Sequence, residues 1–143
     1  MNINELMIGD WVNHLYYNKS IQWEPEEFFM KQSSGYITPR RVEGRDIEPI
    51  ELTRKILLDN GFQKIKASHH DFFRLSSSKD YDEWSIEVDP APYGGYFMVN
   101  AEHTSDEVYQ GGIDDMKIFY VHELQHILTM LKFPTDIKLS VQP

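Results

Sequence analysis

Residues 122–126 read His-Glu-Leu-Gln-His. This spacing has a specific chemical meaning. On a helix, residues i and i+4 stand one turn apart on a single face, so the imidazoles of His122 and His126 could reach one zinc ion. The carboxylate of Glu123, beside the first histidine, would polarise a metal-bound water and take its proton. The chemistry would be that of a zinc-dependent metallohydrolase, with His122 and His126 as metal ligands and Glu123 as catalytic base.

A catalytic zinc needs a third protein ligand. After His126 the chain holds neither His nor Glu, and Asp136 is its sole acid. Where a third histidine would extend the pattern stands Lys132, whose cation would repel the metal. Upstream, Glu102 and His103 are the best remaining donors. Drawn on a helical wheel, Met116, Tyr120, Val121, Leu124, Ile127, Leu128 and Leu131 form one apolar arc. His122 and His126 fall on the other side, where they would face either a cleft or solvent. Chance alone places such a pentapeptide in about two chains per hundred of this composition. The residues therefore favour a structural helix without metal, cofactor or catalytic residue. The zinc hydrolase of His122, Glu123 and His126 is the alternative.

Other groupings carry less. His69 and His70 are neighbours, and on a strand they would point to opposite faces. Asp80, Asp82 and Glu83 resemble the start of a calcium loop. They lack its central glycine and closing glutamate, which favours a solvated hairpin turn. Gly94-Gly95 has no phosphate-loop pattern and reads as a turn. Tyr93, Tyr96 and Tyr109 could form an exposed aromatic patch, although core or hairpin packing is the commoner fate of such residues. No Ser-His-Asp order is legible.

The elements that would position these residues can be outlined. Residues 6–12 suggest strand, Gly9-Asp10 turn and strand. Residues 25–31 have the proline and acids of a short helical start. Tyr36-Ile37 and Arg41-Val42 are short strand candidates. Thr53 is placed to cap a helix that Gly61 ends. Residues 70–75, 84–88 and 96–101 alternate or cluster as three strands, with the Pro- and Gly-rich residues 89–95 joining the last two. Residues 102–114 read as a polar loop. Asp114 or Asp115 then caps a final helix that runs to about Leu131, before Pro134. The fold class is α+β, in one domain spanning residues 1–143. Residues 1–50 form a β-rich part of possible SH3-like form. Residues 51–143 supply a central short helix, an antiparallel meander, and a C-terminal helix packed on the sheet.

Composition narrows the function classes. The chain has 143 residues, 41% of them hydrophobic, which suits one domain with its own core. It has no cysteine, which excludes disulfides, thiolate metal sites and a cysteine nucleophile. The first residues form no secretory signal, and no stretch is long and apolar enough to span a membrane. A cytoplasmic protein with no membrane partner is expected. The net charge of −9 would repel a phosphate backbone. The densest basic stretch, Arg40, Arg41 and Arg45, is interleaved with Glu43 and Asp46. Nucleic acid is therefore an unfavoured partner, and protein the expected one.

Three segments also carry a resemblance. They are residues 5–12 (ELMIGDWV), 49–62 (PIELTRKILLDNGF) and 118–128 (IFYVHELQHIL). The chain resembles a family of short uncharacterised proteins of Bacteroides-type gut bacteria and their phages. The likeness covers about a quarter of the chain, and residues 13–48 depart from the family's shorter spacing. It implies a small α+β fold and assigns no catalytic residue. Relatives carry amides at the positions of Glu123 or His126, and an amide replaces neither a base nor a metal ligand. The likeness thus points to a non-enzymatic protein-interaction module of phage or mobile-element origin.

Overall fold

A computed structural model of the chain describes residues 1, 5–7, 10–15, 19–22, 29–31, 37–41, 47–79, 82–131 and 133. The fold is α+β. Its body is an antiparallel meander of five strands: β6 (Gln63–Lys66), β7 (Asp71–Lys79), β8 (Asp82–Pro90), β9 (Phe97–Ser105) and β10 (Val108–Ile118). Alternation drives this sheet. Trp84, Ile86 and Val88 on β8 are buried, while Ser85, Glu87 and Asp89 point the other way. In register, Phe73 meets Val88 and Val88 meets Val99, so one apolar face runs across the three central strands.

Two helices cover that face. In α1 (Arg54–Asp59), the Thr53 hydroxyl accepts the amide of Ile56, and Gly61 adopts φ +90 just beyond the last turn. Its buried Leu57 joins Phe62 in the core. In α2 (Val121–Met130), Val121, Leu124, Ile127 and Leu128 lie in one cluster with Ile86, Val88, Phe97, Val99 and Ala101. The final helix therefore packs on the sheet as expected.

The N-terminal part is β-rich. β1 (Trp11–His14) lies between β2 (Lys19–Gln22) and β5 (Ile47–Pro49), antiparallel to both. β3 (Phe29–Lys31) and β4 (Ile37–Arg41) form a separate pair. Among the described residues these sheets do not close into one SH3-like barrel.

Several boundaries differ from the sequence reading. The expected loop over residues 102–114 is mostly strand: β9 continues to Ser105, Asp106 and Glu107 make a tight turn, and β10 runs from Val108. Residues 114 and 115 therefore lie inside β10, where Asp115 takes φ +50 at a register shift, and neither caps a helix. The helix starts only at Val121, because Met116 and Ile118 face Val99 and Phe97 as strand residues. Phe29–Lys31 is strand rather than helix. His69 and His70 occupy the β6–β7 turn, closed by a bond from the Ala67 amide to the His70 carbonyl. Asp80, Lys132, Pro134 and Asp136 lie outside the described residues.

Candidate functional site

The pentapeptide occupies the first two turns of α2, and its side chains divide between two layers. Leu124 points to the meander and is fully buried. His122, Gln125 and His126 point to the N-terminal segment that leads into β1. The wheel's polar side is thus covered: His122 is only 5% exposed, and His126 is partly buried.

Each polar group has an assignable position. The amides of Phe119 and Tyr120 both donate to Glu123 Oε1, at 3.0 Å each. This carboxylate satisfies amides left free where β10 gives way to the helix, and its charge suits the helix N-terminus. Gln125 Oε1 accepts the amide of Trp11 at 2.8 Å. His126 Nε2 donates to Asp10 Oδ2 at 2.6 Å, and the same carboxylate oxygen accepts the Met7 amide at 2.8 Å. Asp10 is 2% exposed, and its own amide donates to the Met7 carbonyl; Gly9 of the expected turn lies outside the described residues. A buried carboxylate needs such partners to remain charged.

His122 differs from its neighbours. Its Nδ1 is buried and has no hydrogen-bond partner. The ring stacks on Tyr120 at 5.8 Å and meets the His126 ring edge-on at 5.6 Å. Burial pushes its pKa below the ordinary imidazole value and outweighs the opposing pull of Asp10, Glu123 and Glu5, while His126 adds to the lowering. His122, Glu123 and His126 border an open cleft of about 430 Å³ with Glu5, Pro49, Phe119 and Tyr120.

The structure brings His122 and His126 together and adds Asp10, a carboxylate that spacing could not reveal. It does not bring in the upstream donors. His103 stacks on Trp84 at 4.4 Å, and Glu102 opens on the opposite sheet face beside Glu87 and Asp114. Neither borders the cleft. Among the described residues no group of three His, Asp or Glu side chains is arranged to hold a metal ion. The His126 nitrogen nearest an acidic oxygen is bonded to it, and the Glu123 oxygen is turned to the backbone. Among the described residues the donors do not complete the three-ligand set of a catalytic zinc.

Residues 10–12, 49–52 and 118–126 meet at this junction. Besides the contacts of Asp10 and Trp11, the Val121 amide donates to Ile50 at 2.9 Å, and the Leu52 amide donates to Phe119 at 3.0 Å. Glu51 and Tyr120 form an antiparallel bridge between these bonds. The local reason is plain: the chain leaves β5 extended and runs beside the start of α2 before Thr53 begins α1. A second cleft, of about 350 Å³, lies beyond this bridge, where Arg54, Pro92, Tyr96 and Phe119 contribute to its walls. Tyr93, on the turn at its rim, is fully exposed. Tyr109 stands at the other end of the sheet, so the three tyrosines do not form one patch.

Comparison with models of known families, with curated proteins and with solved structures finds no match to this chain. Among the described residues no helix is long and apolar enough to cross a membrane.

Proposed function

We propose that the chain is a non-enzymatic protein-interaction module, carried by a phage or mobile element as the resemblance implies. The observation that carries this reading is the use made of the pentapeptide. Glu123, Gln125 and His126 are each bonded to backbone or to Asp10, and His122 is buried. Residues that could have activated water instead join α2 to the segments on either side of it. The fully exposed Tyr93 and the aromatic walls of Tyr96 and Phe119 offer a surface of the type partners use.

The test is affinity capture from host and phage lysates using the full chain, beside its Tyr93→Ser and Glu123→Gln variants. A captured protein should be lost with Tyr93→Ser and kept with Glu123→Gln. A chain that stays monomeric and without partners at micromolar concentration overturns the proposal. Elemental analysis of protein purified without added metal tests the zinc alternative. Stoichiometric zinc that disappears in His126→Ala, with a hydrolytic activity that disappears in Glu123→Gln, would establish that alternative instead.

A further inference from the structure

The cleft with Tyr93 at its rim combines aromatic walls with cations. Phe119 is 40% exposed where β10 gives way to α2. Its ring centre stands 6.2 Å from that of Tyr96, at a tilt of 56°. Pro90 and Pro92 extend this apolar wall. Gly94 and Gly95 leave it bare, with no atom within 4 Å of where a Cβ would stand. Arg54 also lines the cleft. The Lys117 ammonium lies 4.1 Å from the centre of the Tyr96 ring and 5.3 Å from that of Phe119.

The charges of the chain make these two cations informative. With 23 acids to 14 bases, a surface cation has carboxylates in surplus. Lys55, Lys64 and Arg74 are each paired with one. Arg54 and Lys117 form no ion pair among the described residues, and Glu51, the one acid on the described wall, is bonded to neither. An acidic molecule thus keeps two cations unpaired at a single aromatic cleft.

We propose that this cleft docks an acidic peptide segment of a partner protein. An aromatic side chain of the segment sits against Pro92, Tyr96 and Phe119, and its flanking carboxylates meet Arg54 and Lys117. This rests on the protein-interaction reading above and gives the partner its chemistry. The cleft volume of about 350 Å³ lies at the small end of the range of about 300–1,000 Å³ for binding pockets, which suits one inserted side chain. Tilted rings such as Tyr96 and Phe119 offer both faces and edges to a third ring. The planar fork of Arg54 matches a carboxylate through two parallel hydrogen bonds. The net charge of −9 does not forbid an anionic ligand. At physiological salt, exposed charges more than about 8 Å away are largely screened, whereas a carboxylate bonded to Arg54 lies well inside that distance.

The test titrates a short capped peptide, phenylalanine flanked by glutamates, into the full chain at about 0.15 M salt. Backbone amide resonances report the site. Shifts should saturate and concentrate at Arg54, Gly95, Tyr96 and Phe119, while those of β6 stay in place. Replacing the peptide's glutamates with glutamine, or its phenylalanine with alanine, should each weaken binding about tenfold. Arg54→Glu should do the same, since it turns attraction into repulsion. Arg54 is exposed in the first turn of α1, where an acid suits the helix, so the fold should be kept. Lys117→Gln should weaken binding about threefold. Absence of saturable shifts, shifts centred elsewhere, equal binding of the glutamine peptide, or unchanged affinity in both variants would overturn the proposal. So would a chain that dimerises during the titration and loses the dimer in Arg54→Glu, because the occupant would then be a second copy. The titration needs no partner from a lysate, so it fails or succeeds separately from the interaction reading. A partner captured through Tyr93 but insensitive to Arg54→Glu would overturn the acidic-peptide assignment alone.

Discussion

Glu123 shows how one side chain serves two expectations. Spacing makes it a catalytic base, whereas geometry makes it an acceptor for two amides at the start of α2. The roles respond differently to substitution. Glu123→Ala removes the acceptor and should cost about 1 kcal/mol of stability, lowering Tm by about 3 °C in a domain of this size. Glu123→Gln keeps an oxygen at the same reach and should lose less than half of that by thermal unfolding. A base could not tolerate the amide. Asp89 gives a second prediction. Its carboxyl, raised in pKa chiefly by burial, has one oxygen without a hydrogen-bond partner, and His70 lies 3.7 Å from it. A carboxyl raised in the fold penalises the native state above its folded pKa, and the penalty vanishes below the unfolded value of 3.8. Asp89→Asn should therefore raise Tm slightly at pH 8, with the gain disappearing below pH 4. At this scale half of the junction was legible. Local spacing picked out His122, Glu123 and His126. Asp10 and Trp11 were missed because their partners stand 116 and 114 residues away. The one available signal was an acid placed inside an otherwise apolar turn.

Among the elements, legibility followed local chemistry. Helix α1 carries its own punctuation in Thr53 and Gly61, and β8 shows a clean alternation, so both were found. β10 was hidden because it is an edge strand. It has one neighbour, much of it faces solvent, and its sequence is polar with two glycines. Its hairpin gave no turn signal either, since Asp106 and Glu107 adopt φ +51 and +63 where Asn-Gly would be usual. Replacing the pair with Asn-Gly should relieve this and stabilise the protein by about 1 kcal/mol in chemical denaturation. Gly112 should behave oppositely. A Cβ there would sit 2.4 Å from the Ala101 carbonyl oxygen and 2.5 Å from the Tyr109 hydroxyl. The neighbouring strand backbone cannot give way cheaply, so Gly112→Ala should cost about 1–3 kcal/mol. The irregular edge has a use of its own. Register shifts beside Gly111 and before Met116, with Asp114 and Asp115 between, discourage another strand from pairing there. Lys64 and Lys66 guard the opposite edge, β6, in the same way.

For the whole molecule, the order of layers matters more than any single contact. α2 packs on the meander through hydrocarbon, and its other side adds hydrogen bonds to Asp10 and Trp11 of the N-terminal segment, whose Trp11 also packs against the apolar core. The apolar stripe foretold the first contact. The second was not legible, because a helix face of His, Gln and His ordinarily meets water, and here it meets backbone and a buried acid. Adjacent residues of α2 can separate the two layers. Leu124 is fully buried in the main core, so Leu124→Ala should cost about 2–5 kcal/mol. That corresponds to a fall of roughly 6–15 °C in Tm, with protection lost throughout β8 and β9. Gln125→Ala removes an acceptor from the Trp11 amide and touches none of that core. It should lower global Tm by no more than about 3 °C, while exchange at Trp11 rises about tenfold. Thermal unfolding combined with residue-resolved exchange distinguishes the cases. If Gln125→Ala collapsed the sheet as Leu124→Ala does, the N-terminal layer would be part of one cooperative core rather than a segment fastened to it.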